Sequence, residues 1–218
     1  MTPEFLIAAQ LTQQQESSLR VVALGTSHTA RGGWQQPLAD ALTRCLATHV
    51  DVLNHGKSGA NSHWGVTEAA RISPAQPDVV LIEFAANDAS LHGGVSISRS
   101  RENITTIVNE LRTKRPTVRI ILMAMNPVSG MRGALRPLLD RYDDLYRDLA
   151  ETLHVEFVDH RPAWHTMSAG ALRAAIPDGL HPSERTAAEV IVPALTERIC
   201  GSRASNQSSN HSNPRIAR

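Results

Sequence analysis

The sequence lacks the features that mark most specialised chain classes. It holds only two cysteines, Cys45 and Cys200, too few for a disulfide framework. Each falls within a helix-like apolar pattern, so both are expected as buried free thiols. Neither sign of charge is in excess: 22 Lys and Arg against 21 Asp and Glu leave a net charge of +1. That balance excludes a general attraction to nucleic acid or to anionic membranes. No apolar run approaches the roughly 18 residues that a membrane span needs. Lysine is nearly missing, with Lys57 and Lys114 alone, and this carries no functional weight. The ten histidines are scattered without a metal-ligating spacing, so no zinc site is expected. The start, "MTPEFLIAAQLTQQQ", has no basic segment and only a short apolar run. It does not read as a secretory signal, and the expected location is cytoplasmic. A periplasmic or secreted location follows only if a leader has been cleaved from a precursor. Thr2 and Pro3 read instead as the cap and first position of a short helix.

With 41% apolar and 20% charged residues, the chain has an ordinary globular composition. Its 218 residues suffice for one domain with a sizeable core. Strand-like runs occur at 20–24, 50–54, 78–84, 118–125 and 154–158. Those at 78–84 and 118–125 are nearly continuous apolar runs, as in parallel strands covered on both faces. Helical stripes lie between them. Leu38, Leu42, Cys45 and Leu46 make one, and Ile104, Ile107, Val108 and Leu111 a second. A long third runs from Leu135 through Leu138, Leu139, Tyr142, Leu145 and Leu149 to Leu153. Residues 183–200 form the last helix, with Gly201 as its stop. This alternation predicts a three-layer α/β/α sandwich on a parallel sheet of about five strands. The domain is expected over 1–200. The Ser/Asn-rich segment 201–218 reads as a disordered tail.

In open α/β sheets, ligands bind beyond the carboxyl ends of the strands. The first strand ends in "GTSHT" with Ser27, the second in "NHGKSGANS" with Gly59, and the third in "FAANDAS" with Asn87 and Asp88. Just before the last helix stands "PDGLHP", with Asp178 and His181. These loops offer a hydroxyl, a glycine amide, a carboxamide and an Asp–His pair, the parts of an acyl-transfer site. Gly179 and Pro182 keep the D-x-x-H segment out of a regular helix. Asp178 can then accept the Nδ1–H of His181, leaving Nε2 for the proton of Ser27. Opposing effects of burial and the Asp178 charge place the titration of His181 between roughly pH 6 and 7.5.

Taken in order, these motifs resemble the GDSL-type SGNH hydrolases over residues 20–200. The resemblance implies an α/β/α fold and hydrolysis of esters or thioesters. It makes Ser27 the nucleophile, His181 the base and Asp178 its orienter. Gly59, Asn87 and the Ser27 N–H become oxyanion donors. No metal or organic cofactor is implied. Two positions depart from the family: Thr26 stands where Asp usually precedes the serine, and Ala85 where Gly usually lies two residues before the Asn. The first touches the shaping of the nucleophile loop, and the second adds a methyl group near the oxyanion pocket.

Each of these residues alone has a blander reading. Ser27 is a helix cap, Gly59 a turn glycine, Asn87–Asp88 an Asx turn and His181 a loop residue. Their joint occurrence at strand ends favours catalysis. "GKS" at 56–58 lacks the first glycine of a P-loop. "GKSGA" approaches a G-x-S-x-G elbow with Ser58 as nucleophile, but lacks its last glycine. His28 reads as pocket-lining or solvated, Trp34 and Trp164 as core or rim, and Asp88 as an anchor for the Asn87 loop. Arg99, Arg101, Arg132 and Arg136 are either solvated or turned to a polar or acidic substrate. No apolar lid for a fatty chain is visible. The expected substrate is a small-molecule or glycan ester carrying a short acyl group such as acetyl. The alternatives are a lysophospholipase or thioesterase, and a non-catalytic glycan-binding relative. Oligomeric state is left open.

Overall fold

The computed structural model describes the backbone of residues 18–209 and the side chains of 18–201. The helix expected at Thr2–Pro3 lies outside the described residues. Apolar runs become five strands: β1 (Leu19–Gly25), β2 (Val50–Gly56), β3 (Val79–Glu83), β4 (Arg119–Ala124) and β5 (Glu156–Asp159). All pair in parallel, in the order β2-β1-β3-β4-β5. In chain order the helices are α1 (Ser27–Ala30), α2 (Gln35–Leu46), α3 (Ser62–Ile72), α4 (Ala85–Asp88), α5 (Ile97–Lys114), α6 (Gly130–Ala134), α7 (Leu139–Leu153), α8 (Arg161–His165), α9 (Ala169–Ala175) and α10 (Glu184–Ser209).

Alternation along the strands divides the core in two. Val21, Ala23, Leu81, Ile121 and Met123 face α2 and α10, which contribute Leu38, Leu42, Ile191 and Leu195. Val22, Leu24, Val80, Ile82 and Leu122 face α3, α5 and α7, which contribute Ile72, Ile107, Val108 and Tyr146. The chain is therefore a three-layer α/β/α sandwich. Among the described residues no helix is long and apolar enough to cross a membrane.

Three local expectations need correction. Cys45 and Cys200 are not free thiols: they form a disulfide, with Cα atoms 6.5 Å apart. They sit on α2 and α10, which pack side by side on one sheet face, and helical periodicity says nothing of which helices share a face. The long third stripe does not form one helix. Pro137 interrupts it, and α7 starts only at Leu139, so Leu135 and Leu138 belong to the preceding connection. Finally, α10 does not stop at Gly201 but runs to Ser209. The rest of the expected tail, 210–218, lies outside the described residues.

Candidate active site

Strand register sets the site. Gly25 is the register partner of both Gly56 and Glu83, so β1, β2 and β3 end at one edge. Ser27 follows two residues beyond Gly25, Gly59 three beyond Gly56, and Asn87 four beyond Glu83. The Lys57 N–H donates to the Gly25 carbonyl at 3.0 Å, tying the Gly59 loop to the end of β1.

At that edge three side chains form one hydrogen-bonded line. Ser27 Oγ lies 2.7 Å from His181 Nε2, and His181 Nδ1 lies 2.7 Å from Asp178 Oδ2. The other carboxylate oxygen, Oδ1, accepts the N–H groups of Leu180 at 3.0 Å and His181 at 2.7 Å. The D-x-x-H spacing therefore works as a folded turn whose carboxylate grips both backbone and ring. Burial alone would raise the pKa of Asp178. The hydrogen bonds from His181 and Leu180 outweigh it and hold the carboxyl well below the usual range. For His181 the balance is reversed. Burial pushes its pKa below the ordinary histidine value, against the opposing pull of Asp178, while the charges of His28 and Arg31 lower it further. A cleft of about 480 Å³ opens over this line, walled by Ser27, His28, Arg31, Asp178, His181 and Glu184.

Gly59 and Asn87 stand outside the lining of that cleft, on the loops after β2 and β3. Gly59 has φ +77°, a backbone conformation that favours glycine. The space a Cβ would fill there is open, so the glycine answers to its backbone conformation and not to crowding by a neighbouring protein atom. The Asn87 side-chain nitrogen donates to the Ala60 carbonyl at 2.7 Å, binding the two loops together. Asp88 anchors α4: its carboxylate accepts from the Ser62 N–H at 2.7 Å and the Ser100 hydroxyl at 2.5 Å. Ala85 packs its methyl into the core. Trp34 and Trp164 are core residues. Arg99 pairs with Glu102 on the surface, and Arg132 Nε lies 3.6 Å from Asp178 Oδ2.

One functional group escaped the sequence reading. Glu83, fully buried at the end of β3, lies beneath the serine turn. Its Oε1 accepts from the Thr26 N–H at 2.6 Å and the Thr29 hydroxyl at 2.7 Å, and its Oε2 from the Thr26 hydroxyl at 2.9 Å. Any side chain at residue 25 would collide with Glu83, which is why Gly25 is glycine. The departure at Thr26 thus has a counterpart: a carboxylate still lies under the turn, supplied from β3. The signal was present, since Glu83 is the one acid set among the apolar residues of "VVLIEF" (79–84). His28 is buried rather than solvated. Its Nε2 lies 2.8 Å from the Leu180 carbonyl, joining the serine turn to the His181 loop. Among the described residues no group of three or more His, Cys, Asp or Glu is placed to hold a metal ion.

The comparisons with known proteins agree with this architecture. Residues 23–188 match the model of the GDSL-like Lipase/Acylhydrolase family. A GDSL esterase/lipase of Arabidopsis thaliana is 33% identical over 122 residues, which is 50% of this chain and 49% of the relative. The isoamyl acetate-hydrolyzing esterase 1 homolog of Mus musculus is 35% identical over 124 residues, 50% of this chain and 48% of the relative. The chain thus spans about half the length of these curated relatives. Among solved structures, the lipase/acylhydrolase from Enterococcus faecalis superposes with a TM-score of 0.70 at 23% identity, covering 84% of this chain and 96% of that one. With a matched segment that takes in the end of β1, the serine turn, the other four strands and the D-x-x-H turn, the chain belongs to the GDSL-like lipase/acylhydrolase family.

Proposed function

We propose that the protein is a serine esterase that hydrolyses short acyl esters, acetyl foremost, of a small polar alcohol or carbohydrate. The observation that carries this reading is the line Ser27 Oγ–His181 Nε2–His181 Nδ1–Asp178, with both polar contacts at 2.7 Å. His181 takes the Ser27 proton as Oγ attacks the ester carbonyl, and Asp178 holds the ring tautomer and balances the imidazolium. The Ser27 N–H, the Gly59 N–H and the free Asn87 Nδ2–H are the donors for the oxyanion. Collapse expels the alcohol, which takes its proton from His181. Water, activated by the same base, then releases the acid from the acyl-serine.

Several features support the short-acyl preference. Polar and charged residues, among them His28, Arg31 and Glu184, flank the cleft beside Ser27. The mouse relative is named for an acetate ester. A longer chain would need the neighbouring groove of Val128, Leu172, Ile176 and Pro177 beside Asp178. The intact polar line favours a working enzyme over a non-catalytic glycan binder. The Cys45–Cys200 disulfide supports an oxidising compartment, against the cytoplasmic location expected from the N-terminus.

A p-nitrophenyl ester series from acetate to palmitate, run on the parent and on Ser27→Ala, tests the reading. Turnover is expected to peak at acetate or butyrate and to vanish in Ser27→Ala with the melting temperature kept. A variant retaining more than a few per cent of activity would remove Ser27 from the nucleophile's role.

A further inference from the structure

Arg136 is a buried guanidinium without an anionic partner. It lies in the connection between α6 and α7 and is 9% exposed. Its Nε donates to the Ala86 carbonyl at 2.6 Å, its Nη1 to the Arg132 carbonyl at 3.1 Å, and its Nη2 to Asn87 Oδ1 at 3.4 Å. All three acceptors are neutral. No ion pair among the described residues includes Arg136, and the charge acting on it is the like charge of Arg132. A buried cation left in this state is costly unless something offsets it.

Its contacts also fix the Asn87 carboxamide. A guanidinium only donates, so it must face Oδ1; a carbonyl only accepts, so Ala60 must face Nδ2. Each partner favours the same orientation, and together they hold the amide at both of its ends. One Nδ2–H goes to Ala60, and the second is left over. The same segment reaches the other half of the site: four residues earlier, Arg132 approaches Asp178.

We propose that Arg136 is a positioning residue for the oxyanion hole, which rests on the esterase reading above. It locks the Asn87 amide so that its spare N–H meets the developing oxyanion. Its charge has no counter-ion among the described residues and acts on the developing oxyanion through the amide it holds. An interaction that strengthens only in the transition state raises kcat rather than lowering KM. Polarisation through the amide works the same way, since a cation on Oδ1 makes Nδ2–H a better donor.

The test is a double-mutant cycle on p-nitrophenyl acetate hydrolysis, with Arg136→Met, Asn87→Ala and both together. Arg136→Met is expected to lower kcat by about 10- to 100-fold with KM within about two-fold. Asn87→Ala is expected to lower kcat by about 10²–10³. The double variant should fall within about three-fold of Asn87→Ala, because without the amide Arg136 has little left to hold. Arg136→Lys keeps the charge but not the fork of donors, and should lie between parent and Arg136→Met. It also carries the test should Arg136→Met not fold. Independent losses that multiply in the double variant, a change confined to KM, or Arg136→Lys at the parent kcat would each overturn the proposal and leave the esterase reading standing. Asn87→Ala at the parent kcat would overturn the oxyanion assignment and this proposal together.

Discussion

Replacing Glu83 by glutamine separates the role of its charge from that of its shape. The change is isosteric, so the turn keeps its packing. The carboxamide oxygen can still accept from the Thr26 N–H and the Thr29 hydroxyl, now at 2.6 and 2.7 Å from Oε1. The amide NH₂ would then stand where Oε2 accepts the Thr26 hydroxyl at 2.9 Å, so that hydroxyl must turn round. Charge-assisted hydrogen bonds contribute about 1.5–3 kcal/mol and neutral ones about 0.5–1.5. Three bonds weakened by about 1 kcal/mol each give a gross loss of about 3 kcal/mol. Relief from burying a charge returns part of it. A net loss of about 1–2 kcal/mol is expected, a fall in melting temperature of roughly 2–8 °C for a chain of this size. Glu83→Ala is the control: it strands three buried donors at about 1–3 kcal/mol each and should be far worse. Because Thr26 directly precedes Ser27, a slackened turn should also lower kcat for acetate-ester hydrolysis by about 10-fold. Thermal melts and steady-state kinetics on both variants decide it. Glu83→Gln with a melting temperature within 1 °C of the parent and kcat within two-fold would refute the idea that this carboxylate holds the serine turn.

Further outcomes follow from the same structure. Since His181 acts as a base only when neutral and burial lowers its pKa, kcat/KM should rise with pH at a midpoint below about 6.5, at or under the lower end of the range the sequence suggested; a midpoint above 7 in a profile from pH 4.5 to 9 counts against it. His160 is fully buried, neither ring nitrogen has a partner among the described residues, and burial lowers its pKa to about 4. The unfolded chain binds that proton from about pH 6.5 downward, so roughly 3 kcal/mol of stability present above pH 6.5 is lost as pH falls to 4. His160→Phe should remove that component, and urea melts of parent and variant at pH 7 and 4 showing the same difference at both would exclude it. The Cys45–Cys200 link closes a separation of 155 residues, for which chain entropy gives a stabilisation of up to about 5 kcal/mol. Cys45→Ala/Cys200→Ala should melt at least about 5 °C lower with kcat unchanged, and an unaltered melt would remove the cross-link from the stability of the fold.

What the sequence made legible was whatever the chain writes locally. Buried runs such as "DVVLIEF" and "VRIILMAM" announced central strands because both faces of a parallel strand are covered, and β3 and β4 lie within those runs. Asp178 and His181 were legible because three residues and a glycine suffice to fold the carboxylate onto the ring. Helix α3 drew no prediction: its inward residues, Trp64, Gly65, Ala69 and Ile72, vary too much in size to make a clear stripe, and Gly65 is small because Phe84 and Ile107 press against it. The contacts of Glu83 and Arg136 were not legible for a different reason. Their partners, Thr26 and Thr29 for one and Ala86 and Asn87 for the other, lie tens of residues away, and only the sheet order brings them together. The Cys45–Cys200 pair belongs to the same class.

Helices α2 and α10 both set out from the edge that holds Ser27 and run back along the sheet, and the disulfide joins them toward their far ends. Strand β1 enters from that same far edge, where Leu19 packs in the cluster that also holds Ile199. The route into the sandwich and the route out of it therefore share one side, and the cleft opens on the other. A neighbouring surface that gripped the molecule beside Leu19 and the Cys45–Cys200 link would hold it by its back. The mouth above Ser27 would still face outward, free to meet a soluble ester or one displayed on a polymer.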